Sequence, residues 1–198
     1  PYPTLSFTGT VKVHGTNAGI VKYKDPSGFT DIEFQSRERV LSLESDNAGF
    51  ALAMSDKNLD FLFEGIDFNE HIAVYGEWCG SNIQKGVAVC QLPKMFIIFG
   101  CMVDGVWVDY QRFDDKQQIY NTNLFNTYTV NIDFNQPEAI QNTLIEFTLE
   151  VEEKCPVGAY FGVDGIGEGI VFTCDSDPTL KFKSKGEKHS SSKVKVLN

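Results

Sequence analysis

The chain has 198 residues, of which 42% are hydrophobic and 22% charged, a balance that supports a folded globular domain and excludes a long disordered or low-complexity protein. No apolar run approaches the ~20 residues that a membrane helix needs, and the N-terminus has no charged–apolar–small leader. The formal charge of −10 argues against a nucleic-acid partner, but residues 181–198 hold six of the 17 basic side chains and only one of the 27 acidic ones. An acidic body with a basic end is a polarised molecule whose end can meet a phosphate backbone or lie solvated as a tail.

Taken in chain order, alternating apolar residues predict strands over 5–13, 18–24 and 29–36. NAGFALAMSDKNLDFLFE, residues 47–64, places apolar side chains three and four apart behind Asp46 or Asn47, which predicts a capped helix. Strands follow over 72–78, 95–103 and 106–110, the last two joined by Asp104-Gly105, a tight-hairpin signal. A further strand is expected at 127–133, then a helix over 137–154 that begins on Pro137 and stops before Cys155-Pro156. Strands over 168–174 and 179–184 complete the set, with no internal repeat and no linker. Hairpins interleaved with two helices predict an α+β fold of mainly antiparallel sheets flanked by helices. A doubly wound parallel fold would need regular strand–helix alternation.

The five cysteines, Cys79, Cys90, Cys101, Cys155 and Cys174, are odd in number and lack C-x-x-C spacing. Reduced thiols and an intracellular setting are therefore expected.

Four segments interrupt apolar strands with polar residues. KVHGTN sets Lys12 beside His14 and Asn17, with Gly15 letting the backbone turn or a ligand approach; alone it equally describes a hairpin with a surface lysine. VYGEWCG ends a strand on Glu77, and EGIVF leads into one from Glu168; either carboxylate can bind a ribose or a metal, or mark an exposed strand end. In LKFKSKGEKHS, period-two spacing puts Lys181 and Lys183 on one face, which suits a phosphate site or a lysine-guarded edge strand. Together these supply an amine, two carboxylates and a lysine pair, the parts of a phosphoryl-type transfer. Mg²⁺ suits such carboxylate and water ligands better than zinc, and His14, His71 and His189 have no metal-ligand spacing.

In order and spacing these segments resemble the covalent nucleotidyltransferases, the polynucleotide ligases and messenger-RNA capping enzymes. The resemblance is strongest to ATP-dependent RNA ligases of the nick-sealing (phage T4 RNA ligase 2-like) type. KVHGTN resembles motif I with Lys12 as nucleophile; SRERVLS resembles the arginine segment that follows it, through Arg37 or its rival Arg39. YGEWCG is similar to motif III through Glu77, FIIFG to motif IIIa with Phe99 stacking on adenine, EGIVF to motif IV through Glu168, and LKFKSK to motif V through Lys181 and Lys183. NIQKGVA and GEKHSSSKVK extend the likeness over residues 12–195. His14 stands where DNA ligases and capping enzymes usually carry Asp, which favours the RNA ligases, and Gly100 departs from the acidic residue usual after the motif IIIa aromatic.

The resemblance implies the nucleotidyltransferase (ATP-grasp-like) domain of polynucleotide ligases, with residues 1–198 as one adenylyltransferase domain excised from a longer protein that carries a separate RNA-binding module. It implies ATP and Mg²⁺ or Mn²⁺ as cofactors, with Lys12, Asn17, Arg37, Glu77, Phe99, Glu168, Lys181 and Lys183 at the nucleotide. Of these, Glu168 and Glu77 would hold the metal. Lys12 would form a lysyl–AMP with ATP, pass the AMP to an RNA 5′-phosphate, and a 3′-hydroxyl would then close the bond, in nicked duplex RNA. A free lysine amine has a pKa of ~10.4, so cations or desolvation must favour its neutral form. A monomer, competent self-adenylylation and weak sealing are expected; His14 and Lys85 receive no role. The alternatives are a DNA ligase, a GTP-using capping guanylyltransferase, or a nucleotide- or RNA-binding module without catalysis.

Overall fold

The alternation in TLSFTGTVK buries Phe7 and Val11 and leaves Thr8, Thr10 and Lys12 partly exposed, which makes strand β1 (Thr4–Lys12). The computed structural model of the chain describes residues 1–188; His189, Lys193, Lys195 and the rest of the basic tail lie outside the described residues. After β1 come β2 (Thr16–Lys24), β3 (Thr30–Ser36), β4 (Val40–Leu41), helix α1 (Phe50–Ser55), β5 (His71–Cys79), β6 (Met95–Val103) and β7 (Val106–Val108). Then follow β8 (Ile119–Asn121), β9 (Thr127–Asp133), α2 (Gln141–Glu153), α3 (Pro156–Tyr160), β10 (Gly169–Cys174) and β11 (Lys181–Lys185). No helix among the described residues is long and apolar enough to cross a membrane.

The contacts group into two compact units. The first comprises Pro1–His14, Gln84–Leu92 and the chain from Phe125 onward. Its sheet has the order β11-β10-β1-β9, antiparallel throughout. On one face Phe7, Val11, Ile170, Phe172 and Cys174 are buried, and the ring of Phe182 stacks on Phe172 at 4.9 Å. Gly9 lies under this cluster because a Cβ there would meet Ile170 and Phe172 at 2.7 Å. α2 also belongs to this unit, with Val151 fully buried and the Thr148 hydroxyl hydrogen-bonded to Ser184. Each large side chain buried in this way contributes about 1.5–3 kcal/mol.

The second unit comprises Gly15–Ile83 and Pro93–Leu124. Its sheet has the order β4-β3-β2-β5-β6-β7, antiparallel, with β8 pairing parallel to β6. Ile20, Phe50, Met54, Leu62, Ile72, Val74, Phe96, Ile98 and Ile119 form its core.

Every expected strand is present, within about two residues at each end. The short β4 and β8 and the short α3 carry too few residues to show a period. The helix expected over 47–64 is only α1 followed by a single 3-10 turn, Asp60–Leu62. Leu59, Leu62 and Phe63 keep helical spacing and are buried, but Asp-Lys-Asn before them breaks the helix: Ser55 Oγ donates to Leu52 O in its last turn and Asn58 Oδ1 accepts from the Asp60 N–H. The cap position is Gly49 rather than Asp46 or Asn47, although the Asp46 carboxylate accepts from the Ala51 and Leu52 N–H groups at 2.9 and 3.0 Å. Pro137 begins a 3-10 turn that runs into α2.

Candidate active site

In the first unit, Lys12 ends β1 and pairs in register with Gly169, which in turn pairs with Lys185 of β11. The row Lys12–Gly169–Lys185 therefore crosses three strands, and Gly169 lets β11 approach this closely because a Cβ there would overlap the Ser184 carbonyl. Glu168, the residue before β10, brings its carboxylate to both lysines. Its Oε1 lies 2.7 Å from Lys12 Nζ and 3.5 Å from Lys185 Nζ, and its Oε2 lies 3.6 Å from His14 Nδ1. Glu168 is 4% exposed, so its charge survives burial only because cations surround it.

β11 places Lys181 and Lys183 on one face as expected and adds a third lysine to it. Lys181, Lys183 and Lys185 alternate with Phe182 and Ser184, whose side chains engage Phe172 and Thr148, so all three lysines share the other face. Lys183 stands in the row of Val171 and Thr10, and Lys181 in the row of Thr173 and Thr8. Rows on one face repeat every ~6.7 Å, so Lys181 lies ~13 Å along the strand from Lys185. The amine at Glu168 is Lys185, which the sequence reading did not select. Its signal was present: Lys185 continues the period-two spacing of the other two.

In the second unit, Gly15, Asn17, Arg37, Arg39, Asn47 and Glu77 line a cavity of about 440 Å³, a size that suits a small ligand. Register explains the grouping, since Asn17 pairs with Glu77 across β2 and β5. Glu77 alternates with Trp78, which is buried against Phe50 and donates its indole N–H to Ala48 O. Glu77 Oε1 accepts from the Gly15 N–H at 3.2 Å. A Cβ on Gly15 would overlap the Trp78 carbonyl, so only glycine lets the backbone run this close to β5.

The two arginines differ in what they do. Arg39 donates to Ser45 O at 2.6 Å, Ser45 Oγ at 3.0 Å and Asp46 O at 2.7 Å, which ties its guanidinium to the loop before α1. Arg37 makes no hydrogen bond or ion pair among the described residues, so its guanidinium is available to a ligand in the cavity. Phe99 is not among the lining residues. It is the extra residue of a β-bulge, since Tyr75 pairs with Gly100 and Gly76 with Ile98, and Phe99 is 40% exposed beside the buried Ile98. Lys85 lies in the segment Gln84–Leu92, which is held in the first unit by the Ala88 N–H bond to Ile166 O.

Among the described residues, no group of three or more His, Cys, Asp or Glu converges as a metal cage. Glu168 offers hard oxygen donors that would suit a hydrated Mg²⁺ or Mn²⁺.

The family model described as RNA ligase matches residues 5–195. None of the curated proteins matches the chain. Among solved structures, the chain is similar to Naegleria gruberi RNA ligase with PPi, at a TM-score of 0.59 and 17% identity over 95% of this chain and 52% of that one. A point mutant of the same ligase with ATP and Mn gives 0.59 and 18% over 93% and 52%. Another, with AMP and Mn, gives 0.60 and 16% over 92% and 50%. The chain thus spans about half the length of these structures, and at such identities the likeness establishes the fold: mainly antiparallel sheets with few helices, as in RNA ligases.

Proposed function

The chain belongs to the RNA ligase family, and from that premise we propose that it is the adenylyltransferase part of an ATP-dependent RNA ligase of the nick-sealing type. Lys12 Nζ attacks the α-phosphorus of ATP; the N–P bond forms, the bond to pyrophosphate breaks, and the amine gives up its proton. The AMP then passes from Lys12 to an RNA 5′-phosphate. Finally a 3′-hydroxyl attacks that phosphate, which joins the strands and releases AMP. The observation that carries this reading is the meeting of Lys12 and Lys185 on the buried Glu168 carboxylate, with contacts of 2.7 and 3.5 Å, at the residue where motif I is expected.

The other residues take roles by their chemistry. Lys183 and Lys185, with Lys181 further along β11, meet phosphate oxygens and stabilise charge that develops on them. Arg37, Asn17 and Glu77 bind the nucleotide, Glu77 through a ribose hydroxyl or a metal-bound water, and Phe99 stacks on adenine. Glu168 is the first candidate to hold a hydrated Mg²⁺ or Mn²⁺. Such an ion, when bound, would supply positive charge to the phosphates and favour the neutral form of the amine. Lys12 attacks only after its ion pair with Glu168 is broken, because an ammonium has no lone pair to donate.

Incubation with α-labelled ATP and Mg²⁺ tests the proposal. Wild type is expected to acquire an acid-labile AMP adduct, and Lys12→Ala none. No adduct in wild type, or its persistence in Lys12→Ala, overturns the reading. GTP in place of ATP, and nicked DNA in place of nicked RNA, separate it from a capping guanylyltransferase and a DNA ligase.

A further inference from the structure

Glu152 sits in the last turn of α2 at 3% exposure. A carboxylate is poorly suited to that place, because it opposes the helix dipole and costs free energy to bury without partners. What it holds explains its presence. Its Oε2 accepts the backbone N–H of Lys188 at 2.7 Å. A Cβ on Gly186 would overlap that same carboxylate, so the turn after β11 can lie against Glu152 only with glycine at 186.

The hydrogen bonds beside this contact link the end of α2 to the backbone on both sides of Glu168 and Lys185. Gly186 N–H donates to the Glu168 carbonyl at 3.0 Å. The preceding Gly167 N–H donates to the Val151 and Glu152 carbonyls at 3.1 and 3.3 Å, at the end of the same helix. Gly167 is also a close approach, since a Cβ there would meet Val151 O at 2.5 Å. The end of α2 thus grips the backbone just before Glu168 with its carbonyls, and the backbone just after Lys185 with the Glu152 side chain. Glu168 is the carboxylate that Lys12 meets, and Lys185 is the second lysine on it.

We infer that Glu152 is a positioning residue for adenylylation: its carboxylate anchors the turn after β11 so that Lys185 and Glu168 stay in register with Lys12. The inference rests on the reading of Lys12 as nucleophile. Glu152 touches none of the reacting atoms and acts through Gly186 and Lys188. A residue that only stabilises the fold would lower the melting temperature and leave the rate per folded molecule unchanged.

The test is single-turnover formation of the AMP adduct by the full chain across ATP concentrations, with melting temperatures measured in parallel. Wild type and Lys12→Ala are compared first, which judges the nucleophile separately. Given a Lys12-dependent adduct, Glu152→Ala is expected to lower the rate at saturating ATP by about 10²-fold, the scale of a 1 Å misplacement. The half-saturating ATP concentration should change little, because the cavity residues of the second unit are untouched. Glu152→Gln keeps an oxygen for the Lys188 N–H and is expected to stay near the wild-type rate.

Gly186→Ala keeps the carboxylate and displaces the turn, so it should lower the rate alone and add no further loss in the Glu152→Ala background. If Glu152→Ala does not fold, the contrast between Glu152→Gln and Gly186→Ala decides. A wild-type rate in folded Glu152→Ala or in Gly186→Ala, or equal losses in Glu152→Gln and Glu152→Ala, overturns the inference while the role of Lys12 stands.

Discussion

Lys12 Nζ and Glu168 Oε1 lie 2.7 Å apart, and the carboxylate is 4% exposed. This pairing fixes where the amine points, yet it also occupies the amine. Glu168→Gln keeps the size of the side chain and an oxygen near Lys12 but removes the charge that a hydrated cation needs. Adduct formation with ATP is expected to fall by at least about 10²-fold, read by intact-mass spectrometry after single turnover. Glu168→Ala should also unfold more easily, by about 3–5 kcal/mol, because Lys12 and Lys185 lose their common counter-charge. A wild-type rate in Glu168→Gln would take the Glu168 charge out of the chemistry.

The lysines of β11 should rank by row. Lys185 contacts Glu168 at 3.5 Å and stands in the row of Lys12, Lys183 is one row away and Lys181 two. Alanine at 185 should slow adduct formation most, alanine at 183 less, and alanine at 181 least. Single-turnover rates with labelled ATP read the order directly. A loss at Lys181 larger than that at Lys185 would contradict the register as the guide to which amines meet the phosphates.

Arg37 and Arg39, two residues apart in SRERVLS, should fail differently. Arg39 spends its guanidinium on Ser45 and Asp46, and Asp46 in turn accepts the first N–H groups of α1. Arg39→Ala is expected to cost about 1 kcal/mol of stability, the scale of a net hydrogen bond. Arg37→Ala should leave the melting temperature unchanged and weaken nucleotide binding, measured by calorimetric titration with ATP. A stability loss at Arg37 and none at Arg39 would reverse the assignment.

The strands and their antiparallel partners were legible because half-buried strands write their period into the sequence, as TLSFTGTVK does with Phe7 and Val11 against the threonines. The helix boundary after Ser55 was not, since Leu59, Leu62 and Phe63 keep helical spacing through a turn that only the Asn58 side chain reveals. Among site residues, Asn17 and Glu77 were read separately and meet by strand pairing. Lys185 was missed because pairing to Gly169 and Lys12, rather than any local pattern, singles it out from two identical neighbours on the same face. Which arginine is committed depends on Ser45 and Asp46, loop residues whose place no period encodes.

None of the five cysteines is in a disulfide, and four of them, Cys79, Cys101, Cys155 and Cys174, are buried. Burial pushes Cys101 up to about 11 and also raises Cys155. A hydrogen bond with the Ser176 hydroxyl lowers Cys174, but at 1% exposure reagent cannot reach it. In the native protein, iodoacetamide is expected to label Cys90 alone on the time scale of minutes, and all five in denaturant. Fast native labelling at Cys101 or Cys155 would show that the cores around them open.

Asp104 gives the chain a pH-dependent clasp. It starts the Asp104-Gly105 turn between β6 and β7, where both residues have positive φ. Its carboxylate accepts the N–H groups of Asn69 at 2.8 Å, Glu70 at 2.7 Å and His71 at 3.1 Å, which ties the hairpin to the entry of β5. These bonds, that of Asn69 foremost, hold its pKa below the ordinary carboxylate value of 3.8. A carboxyl whose folded pKa is depressed stabilises the fold fully above its unfolded value, and this contribution disappears as pH falls through the folded one. Asp104→Asn keeps the left-handed preference of the turn and removes the charge. Its melting temperature should therefore lie below that of wild type at pH 7, and the gap should close as pH drops below 3.8. A gap that stays constant down the whole titration would mean that the three hydrogen bonds do not depend on the charge.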